Sequence, residues 1–329
     1  MVARTSAGRA HQVLLWCLIA SLLTGCTQRR AGLVAEPVGR QPSTWLSGAA
    51  GEGVADGKFG AWRNAPVTVA GTWADTSASV QVASDQLTPD GEYGRWSGSL
   101  DVAVGGIFRD HGESWSAAAG GAYDQRWSSL LEALASKWLE RPRGTLFIRF
   151  AHEWNGSWSP WVVAADEIDD FIAAWRRFYQ LKATIFPQAQ LVFCTNGSTS
   201  GLTYDWRRAW PGDEYVDVYS TDWYSDQLAV PTVDEFGAPA GLDQHRQFAL
   251  SHGKPFALSE WGNRYSATGD STGYVTSIHD FAVANGGTGA GQLLYEIYFN
   301  VLEDPNEFGI YPTGQSLAPD VSDTYRRLF

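Results

Sequence analysis

The sequence predicts an α/β fold, specifically a (β/α)8 TIM barrel. Short apolar runs alternate with amphipathic helical stretches from about residue 66 to the end of the chain. This alternation indicates a parallel sheet covered by helices. Polar and aromatic residues follow directly after the apolar runs, and a barrel carries its active site at these carboxyl ends of its strands. No Gly-x-Gly-x-x-Gly or Walker motif follows an early strand, which disfavours an open nucleotide-binding sheet.

Seven strands and three long helices can be assigned from the apolar pattern. The strands are predicted at residues 67–71, 100–104, 146–150, 191–193, 216–219, 256–258 and 293–295. An eighth strand is expected near residues 54–62. The helices are expected at residues 123–139, 166–185 and 242–252.

The N-terminal 25 residues have the features of an export signal. Arg4 and Arg9 precede an apolar run at residues 13–23, which is too short to span a bilayer comfortably. The run ends in Leu23-Thr24-Gly25-Cys26, which resembles a bacterial lipobox. That resemblance implies that the thiol of Cys26 is acylated and that the acyl chains hold the protein on a membrane surface. An ordinary cleaved signal peptide with a chance cysteine is the alternative.

After residues 1–25, the chain divides into a tether and one folded domain. Residues 26–44 are rich in Gly, Pro and Arg, which predicts a flexible tether, and residues 45–329 are expected to form the barrel. Cys194 lies in an apolar run of this domain and is expected to be a buried thiol. We expect an exported monomer that faces the periplasm or the cell exterior and touches the membrane only through its lipid.

Composition narrows the class of partner. The formal net charge is −12, and such an acidic protein is repelled by the phosphates of nucleic acids. Sixteen Trp and thirteen Tyr accompany a single Met. Flat rings with a polar edge suit the C–H faces and hydroxyls of sugars, although many of these rings must also fill the core. The composition therefore favours a carbohydrate partner over a nucleic acid.

The strongest candidate for chemistry follows the predicted strand at 146–150. His152 and Glu153 end this apolar run, and an Asn155-Gly156 turn and two further Trp, Trp158 and Trp161, come after them. An ionisable pair at a strand end beside aromatic rings indicates a functional site. Alternation along the strand is expected to place Arg149 on the same face as Glu153, beneath the site. A hydrogen-bonded His152 and a surface Glu153 are the structural alternative.

A second carboxylate ends another apolar strand. Glu260 follows the run at 256–258 and precedes Trp261 and Gly262. About three strand–helix units of roughly 35 residues separate it from Glu153, so the two are expected to face each other across the barrel mouth. Glycoside hydrolysis requires one protonated and one ionised carboxyl group. The environments of the two groups must differ, because only then do their pKa values separate.

A third polar segment lies between these two. Asp222 and Tyr224 follow the predicted strand at 216–219. Tyr224 could donate a hydrogen bond to Glu260, and Asp222 could orient Glu260 or bind a sugar hydroxyl. A buried tyrosine with only a packing role remains the alternative.

Together the three segments resemble glycoside hydrolase family 26, a family of retaining (β/α)8 barrels. The family's acid/base motif matches His152-Glu153-Trp154-Asn155-Gly156, and its nucleophile motif matches Glu260-Trp261-Gly262. The family tyrosine that supports the nucleophile matches Tyr224, and its cleft tryptophan matches Trp158. The resemblance implies that Glu153 is the acid/base and Glu260 the nucleophile. The substrate-binding residues are expected to be His152, Asn155, Trp158, Trp161, Asp222, Tyr224 and Tyr298.

Three positions depart from the family pattern. Trp154 stands where the family usually has Met, and His111 is the candidate for a histidine that its mannanases carry after strand three. Tyr295, Glu296 and Tyr298 occupy the region where they carry a tryptophan after strand eight. Because these positions shape the sugar subsites, the resemblance implies the reaction type more firmly than the substrate.

The expected function is a retaining endo-β-glycanase, most simply on β-1,4-mannan, the family's commonest target. Relatives that cut mixed-linkage glucan or β-1,3-xylan keep a glucanase or xylanase open, as well as an exopolysaccharide-processing hydrolase. A non-catalytic barrel that binds polysaccharide at the cell surface is the alternative from another class. No cofactor or metal is expected, because the His residues lack zinc-ligand spacing and the acidic residues at 303–307 lack calcium-loop spacing.

Overall fold

Eight parallel strands form a closed barrel in the part of the chain that the structure describes. This computed structural model describes residues 43–329 apart from 199–200, 228–230 and 304–305. The strands pair in sequence order, and β1 closes the barrel because it pairs with both β2 and β8. The strands are β1 (Leu46–Gly51), β2 (Val69–Ala74), β3 (Ser99–Val104), β4 (Leu146–Phe150), β5 (Gln190–Asn196), β6 (Val218–Tyr224), β7 (Phe256–Gly262) and β8 (Leu293–Asn300). The predicted fold class is confirmed.

Amphipathic helices connect the strands and bury their apolar faces. The helices of the described residues are α1 (Lys58–Arg63), α2 (Ser79–Leu87), α3 (Trp115–Ala119), α4 (Asp124–Trp138), α5 (Ile168–Ile185), α6 (Leu242–Ser251), α7 (Tyr265–Thr268), α8 (Thr272–Asn285) and α9 (Pro319–Leu328). In α4, Trp127, Leu130, Leu131 and Leu134 are buried at the three- and four-residue spacing of one helix face. Within the described ranges, we find no helix with the length and apolar character needed to cross a membrane.

The strands read as continuous apolar runs because both of their faces are buried. Phe147, Val192, Val218 and Tyr295 belong to the cluster that fills the barrel interior. Neighbouring strand residues point outward into a second, larger cluster that they share with the helices. The sulfur of Cys194 is buried in the inner cluster, as the sequence predicts.

The prediction of a strand near residues 54–62 was wrong. The missing strand is β1, Leu46–Gly51, whereas α1 begins at Lys58. Its sequence is dominated by Gly and Ala and resembles the end of a tether, but small residues are what this position requires. A Cβ atom at Gly48 would lie 1.8 Å from the carbonyl oxygen of Val69 on β2. The signal, the lipobox Cys26 and the tether up to residue 42 lie outside the described residues.

Most strands extend beyond their apolar runs, and the extensions form the site. β2 reaches Ala74, β6 reaches Tyr224 and β7 reaches Gly262, each past the predicted end. The ladder continues there because backbone pairing does not depend on side-chain polarity. The strands therefore carry polar side chains at their carboxyl ends, directly beneath and around the barrel mouth.

Candidate active site

A cleft of about 660 Å³ opens where the strands end. Five predicted site residues line this cleft: His152, Glu153, Trp158, Tyr224 and Glu260. The sequence interpretation missed the other lining residues, which are Trp73, Asp75, Asn196, Ser198, Asp226, Gln227, Arg264, Phe299, Val301, Glu303 and Phe308. The structure thus brings both carboxylates into one cleft, together with donors from other strands.

Glu153 lies on a tight turn after β4 and not on the strand itself. The strand ends at Phe150, and Ala151 and Glu153 adopt the left-handed region with φ of 51° and 49°. The expected shared face of Arg149 and Glu153 was therefore wrong, because strand alternation stops at Phe150. Left-handed backbone is unfavourable for both side chains, so surrounding contacts must hold this turn.

Those contacts come from Asn155 and the end of β5. The amide of Asn155 donates to the carbonyl oxygens of Asn196 at 2.9 Å and Ser198 at 3.1 Å, and its oxygen accepts from the Asn196 backbone at 2.8 Å. The backbone N–H of Glu153 donates to the carbonyl of Cys194 at 3.2 Å. Asn155 is buried and does not line the cleft, so its predicted contact with substrate is corrected to a role in fixing the turn.

The carboxyl group of Glu153 is held by two donors in an environment that favours its neutral form. Asn196 Nδ2 donates to Oε1 at 2.6 Å, and Trp158 Nε1 donates to Oε2 at 2.7 Å. Burial and the nearby charge of Glu260 raise the pKa of Glu153 to about 7, against the lowering effect of the two donors. A carboxyl group with that pKa is partly protonated at neutral pH and can act as a general acid.

Glu260 has the opposite environment. Arg149 Nη1 donates to its Oε1 at 2.6 Å, Trp73 Nε1 donates to the same oxygen at 3.0 Å, and the Tyr224 hydroxyl donates to Oε2 at 2.8 Å. Burial acts to raise the pKa of Glu260, but the positive charge of Arg149 and these donors outweigh it and leave the pKa below its ordinary value. Glu260 is therefore an ionised carboxylate whose position is fixed by three side chains.

Arg149 supplies the positive charge from below. It is fully buried on β4, and its Nε donates to Asp101 Oδ1 at 2.5 Å. Asp101 also accepts from Ser259 at 3.1 Å and from Tyr295 at 2.7 Å, so the cation sits in a hydrogen-bonded network that spans β3, β4, β7 and β8. The expectation that Arg149 lies beneath the site is met, although its partner in the cleft is Glu260.

Asp222 belongs to this buried layer and not to the cleft. Its side chain is fully buried, with Oδ2 at 3.6 Å from Arg149 Nη1 and Oδ1 at 3.3 Å from the sulfur of Cys194. Burial and the charge of Glu260 raise the pKa of Asp222 well above its usual range. The predicted sugar contact is corrected, because Asp222, which pairs with Glu260 across β6 and β7, has no exposed surface and does not line the cleft.

Trp161 and Tyr298 are also corrected, because neither of them lines the cleft. The indole N–H of Trp161 donates to the carbonyl oxygen of His152 at 2.6 Å, and its ring is 3% exposed. The Tyr298 hydroxyl donates to the carbonyl of Phe308 at 3.0 Å from a fully buried position. Both rings are packed in the core behind the cleft wall.

The remaining subsite candidates, His111, Tyr295 and Glu296, lie outside the cleft. His111 is 54% exposed on a short 3-10 helix and is not part of the cleft. Tyr295 and Glu296 are buried within β8, which continues to Asn300. The cleft wall after β8 is instead built by Phe299 and Val301.

Arg264 organises the wall on the β6–β7 side. Its guanidinium lies over the rings of Tyr224 and Phe308, at 5.6 Å and 5.3 Å from their centroids, and pairs with Asp226 at 2.9 Å. The cation–π contact adds to the hydrogen bond from the Tyr224 hydroxyl to Glu260 in holding the Tyr224 ring in place.

A sequence pattern could have identified the missed residues Trp73 and Asp75. They follow the apolar run at 67–71 as an aromatic and an acid near a strand end, the same pattern that singled out Glu153 and Glu260. The strand was predicted to end at residue 71, which left both in a loop. Among the described residues, no three His, Cys, Asp or Glu side chains are grouped to hold a metal ion. The cleft pairs a carboxyl group of raised pKa, Glu153, with an ionised one, Glu260.

Comparison with known proteins agrees with this fold. A sequence model of glycosyl hydrolase family 26 matches residues 65–245. Similar solved structures include the catalytic domain of a Bacillus sp. JAMB-750 endo-β-1,4-mannanase, with 18% identity, a TM-score of 0.56 and coverage of 87% of this chain and 86% of that one. A modular endo-β-1,4-mannanase from Cellulomonas fimi has 17% identity, a TM-score of 0.59 and coverage of 85% and 70%. A hyperthermostable endo-1,4-β-D-mannanase from Thermotoga petrophila has 12% identity, a TM-score of 0.54 and coverage of 87% and 100%. No curated protein sequence matches the chain.

Proposed function

Because this chain belongs to glycosyl hydrolase family 26 and is a glycoside hydrolase, we propose that it cleaves a β-linked polysaccharide with retention of anomeric configuration. Glu153 is the acid/base and Glu260 the nucleophile. The observation that carries the proposal is the opposite environment of two carboxyl groups in one cleft. Burial holds the pKa of Glu153 at about 7, whereas Arg149 helps to keep the pKa of Glu260 below its ordinary value.

The first chemical step uses both groups at once. Glu260 attacks the anomeric carbon while the glycosidic C–O bond breaks, and the Glu153 proton passes to the leaving oxygen. In the second step Glu153, now ionised, takes a proton from water as the water oxygen bonds to the anomeric carbon. The bond between the anomeric carbon and Glu260 breaks as the bond to the water oxygen forms, so Glu260 leaves as a carboxylate, Glu153 is protonated again, and both groups return to their starting states. Two inversions give net retention.

Trp158 is the proposed sugar platform. Its ring is 53% exposed and its N–H donates to Glu153 Oε2 at 2.7 Å, so the ring is fixed beside the acid. An exposed ring held in this way offers an apolar face to the C–H groups of a sugar. His152 and Tyr224 complete the proposed binding set from the predicted residues that line the cleft.

The proposed substrate is β-1,4-mannan, cleaved internally. Three of the similar solved structures are endo-1,4-mannanases, and the cleft volume of about 660 Å³ suits more than a single sugar ring. At His111 and after β8, the chain differs from the family's mannanases in the residues expected to shape the sugar subsites. A β-glucan, a xylan or an exopolysaccharide is therefore the alternative substrate, and the proposed mechanism would be the same for each. A screen of residues 45–329 on this panel, scored by product size, separates these substrates and separates endo from exo cleavage.

Stereochemistry tests the mechanism itself. Proton NMR in the first minutes of reaction, before mutarotation, should give the β product first from a β-linked substrate. Direct attack requires carboxyl groups about 5–5.5 Å apart, whereas inversion through water needs roughly 6.5–9.5 Å. An α product formed first would exclude Glu260 as nucleophile. Binding of polysaccharide without any cleavage would favour the non-catalytic barrel.

Glu153→Ala provides a second test. The variant should retain measurable activity on activated aryl glycosides, because a good leaving group departs without protonation, and added azide should raise its rate. Trp158→Ala is the matched control, because it should weaken binding on every substrate without azide rescue. Equal loss of Glu153→Ala activity on activated and natural substrates would contradict the acid/base role.

We also propose that the enzyme is an exported, monomeric lipoprotein anchored through Cys26. The lipobox Leu23-Thr24-Gly25-Cys26 supports this proposal from sequence alone. An anchored glycanase with an acidic body would meet its polysaccharide at the cell surface. Size-exclusion chromatography of residues 45–329 tests the monomer, and fractionation of the full chain tests the anchor.

A further inference from the structure

Asp75 lies beside the nucleophile at the end of β2. It lines the cleft, and its side chain is 29% exposed. Two residues earlier, Trp73 Nε1 donates to Glu260 Oε1 at 3.0 Å. The end of β2 therefore borders the position of the sugar ring that Glu260 attacks, which is the ring that stays on the enzyme after the first step.

The carboxylate of Asp75 lacks the donors that its neighbours have. It makes no side-chain hydrogen bond to another residue within the described part of the chain. The ring of His152 faces this carboxylate, with Nε2 at 3.9 Å from Asp75 Oδ2, which is too long for a hydrogen bond. Burial lowers the pKa of His152 to about 3, so the ring is neutral and supplies no charge. Burial raises the pKa of Asp75, and a ligand that donates hydrogen bonds would stabilise the ionised form.

We propose that Asp75 is a substrate-binding residue that accepts a hydrogen bond from a ring hydroxyl of the sugar attacked by Glu260. The same hydroxyl fits between Asp75 and His152, because Asp75 Oδ2 and His152 Nε2 are 3.9 Å apart. A hydroxyl oxygen about 2.8 Å from each of these two atoms makes an angle of roughly 90° with them, which allows a hydrogen bond to both. The hydroxyl donates to the carboxylate and accepts from the imidazole N–H. This inference rests on the proposed function, because Glu260 as nucleophile defines which ring lies there.

Asp75 also restricts the class of sugar to neutral ones. Among the described residues, the cleft carries the further acids Asp226 and Glu303, and its lining arginine, Arg264, is already paired with Asp226 at 2.9 Å. A uronate in the ring next to Asp75 would meet an uncompensated negative charge at close range. The site therefore selects a neutral hexose or pentose that has a free hydroxyl at the contacted carbon, and it excludes a polyuronate.

The residue offers clean variants for a test. Asp75→Ala removes the acceptor, and Asp75→Asn keeps the shape and one acceptor oxygen. Asp280→Asn is the matched control, because Asp280 forms a similar pair with His279, Nδ1 at 3.6 Å from Oδ1, but is 73% exposed on α8. Neither Asp75 variant should change the melting temperature by more than the control does, because Asp75 lies outside the buried Arg149 network.

The experiment measures kcat/KM on 2,4-dinitrophenyl β-glycosides of mannose, glucose and xylose, and on monodeoxy analogues of whichever is cleaved. Affinity electrophoresis in gels containing galactomannan, β-glucan, xylan or polyuronate reports binding independently of catalysis. Asp75→Ala should lower kcat/KM about 10- to 100-fold, which is the fold-change of one hydrogen bond to a charged group, and Asp75→Asn should lower it less. One monodeoxy analogue should be cleaved equally by wild type and Asp75→Ala.

The outcomes separate this inference from the proposed function. If the wild type is active and the kcat/KM of Asp75→Ala is within twofold of the wild-type value, the inference alone is overturned. An equal loss of kcat/KM on every deoxy analogue, or retardation of the wild type by polyuronate, also overturns the inference alone. A wild type that is retarded by a neutral gel but cleaves nothing overturns the proposed catalysis, and loss of retardation in Asp75→Ala then supports the contact. A wild type that neither cleaves nor is retarded overturns both.

Discussion

Replacing Glu260 by Gln is expected to lower the pKa of Glu153 by about two. Burial and the charge of Glu260 are the two effects that raise this pKa to about 7. At the 5–5.5 Å separation of a retaining pair, one unit charge at an effective dielectric constant of about 20 contributes roughly 3 kcal/mol, which corresponds to about two in pKa. Burial persists in the variant, so the pKa should remain at or above the ordinary value of a glutamate.

The change mimics what happens during turnover. When Glu260 forms an ester with the sugar, its negative charge disappears just as it does in Glu260→Gln. A fall in the pKa of Glu153 then converts a good acid into an ionised base, which is the form that the second step needs. In the wild type, kcat/KM should decline as pH rises through about 7, because deprotonation of Glu153 removes the acid.

The assay is a ¹³C NMR titration of the protein labelled at glutamate Cδ. The resonance of Glu153 is assigned by its disappearance in Glu153→Gln and is followed from pH 4 to pH 9 in both proteins. Glu303→Gln is the control: it removes another cleft carboxylate that is not among the groups shifting the pKa of Glu153. A Glu153 pKa that stays near 7 in Glu260→Gln would refute the reasoning, because the two groups would then be too far apart for direct attack.

Three further changes have directions that follow from the structure, and a fourth follows from the lipobox sequence. Trp158→Phe removes a donor to ionised Glu153, so the alkaline limb of the pH profile should move upward; movement downward would show that the hydrogen bond favours the acid form. Arg149→Met leaves buried carboxylates uncompensated and should cost roughly 3–5 kcal/mol in urea unfolding, and a cost below about 1 kcal/mol would contradict the network. Burial raises the pKa of Glu296 from 4.5 to about 7, so the folded state binds this proton more tightly than the unfolded state, and about 3 kcal/mol of stability should be lost as pH rises from 4.5 through 7. Glu296→Gln should flatten that dependence in unfolding curves at pH 5 and pH 8, and an unchanged slope would refute it. Cys26→Ser should move the full-length protein from the membrane to the soluble fraction, and fatty-acid labelling that persists would exclude Cys26 as the anchor.

The local hydrophobic pattern of the sequence was sufficient to predict the fold class. Strands of a parallel barrel are buried on both faces, so their apolar runs are visible one at a time without knowledge of their neighbours. The segments around Glu153, Glu260 and Tyr224 were found in the same way, because an acid or a tyrosine that ends an apolar strand stands out in the sequence. β1 was missed because Gly48 and its small neighbours carry no apolar signal, and close packing against β2 is what requires them.

Side-chain placement required the closed barrel. Trp158 and Trp161 follow the same strand three residues apart, yet one ring is 53% exposed in the cleft and the other is 3% exposed in the core. Asp222 and Asp75 both follow apolar strand runs, but the first is fully buried beside Glu260 and the second faces the cleft. The sequence determined which residues end the strands, because that depends on hydrophobicity along the chain. Only the tertiary structure decided which of these residues meet. Trp73 and Glu260 are 187 positions apart and share a hydrogen bond because barrel closure brings the ends of β2 and β7 to the same barrel mouth. The charges and the burial assembled there separate the pKa values of Glu153 and Glu260.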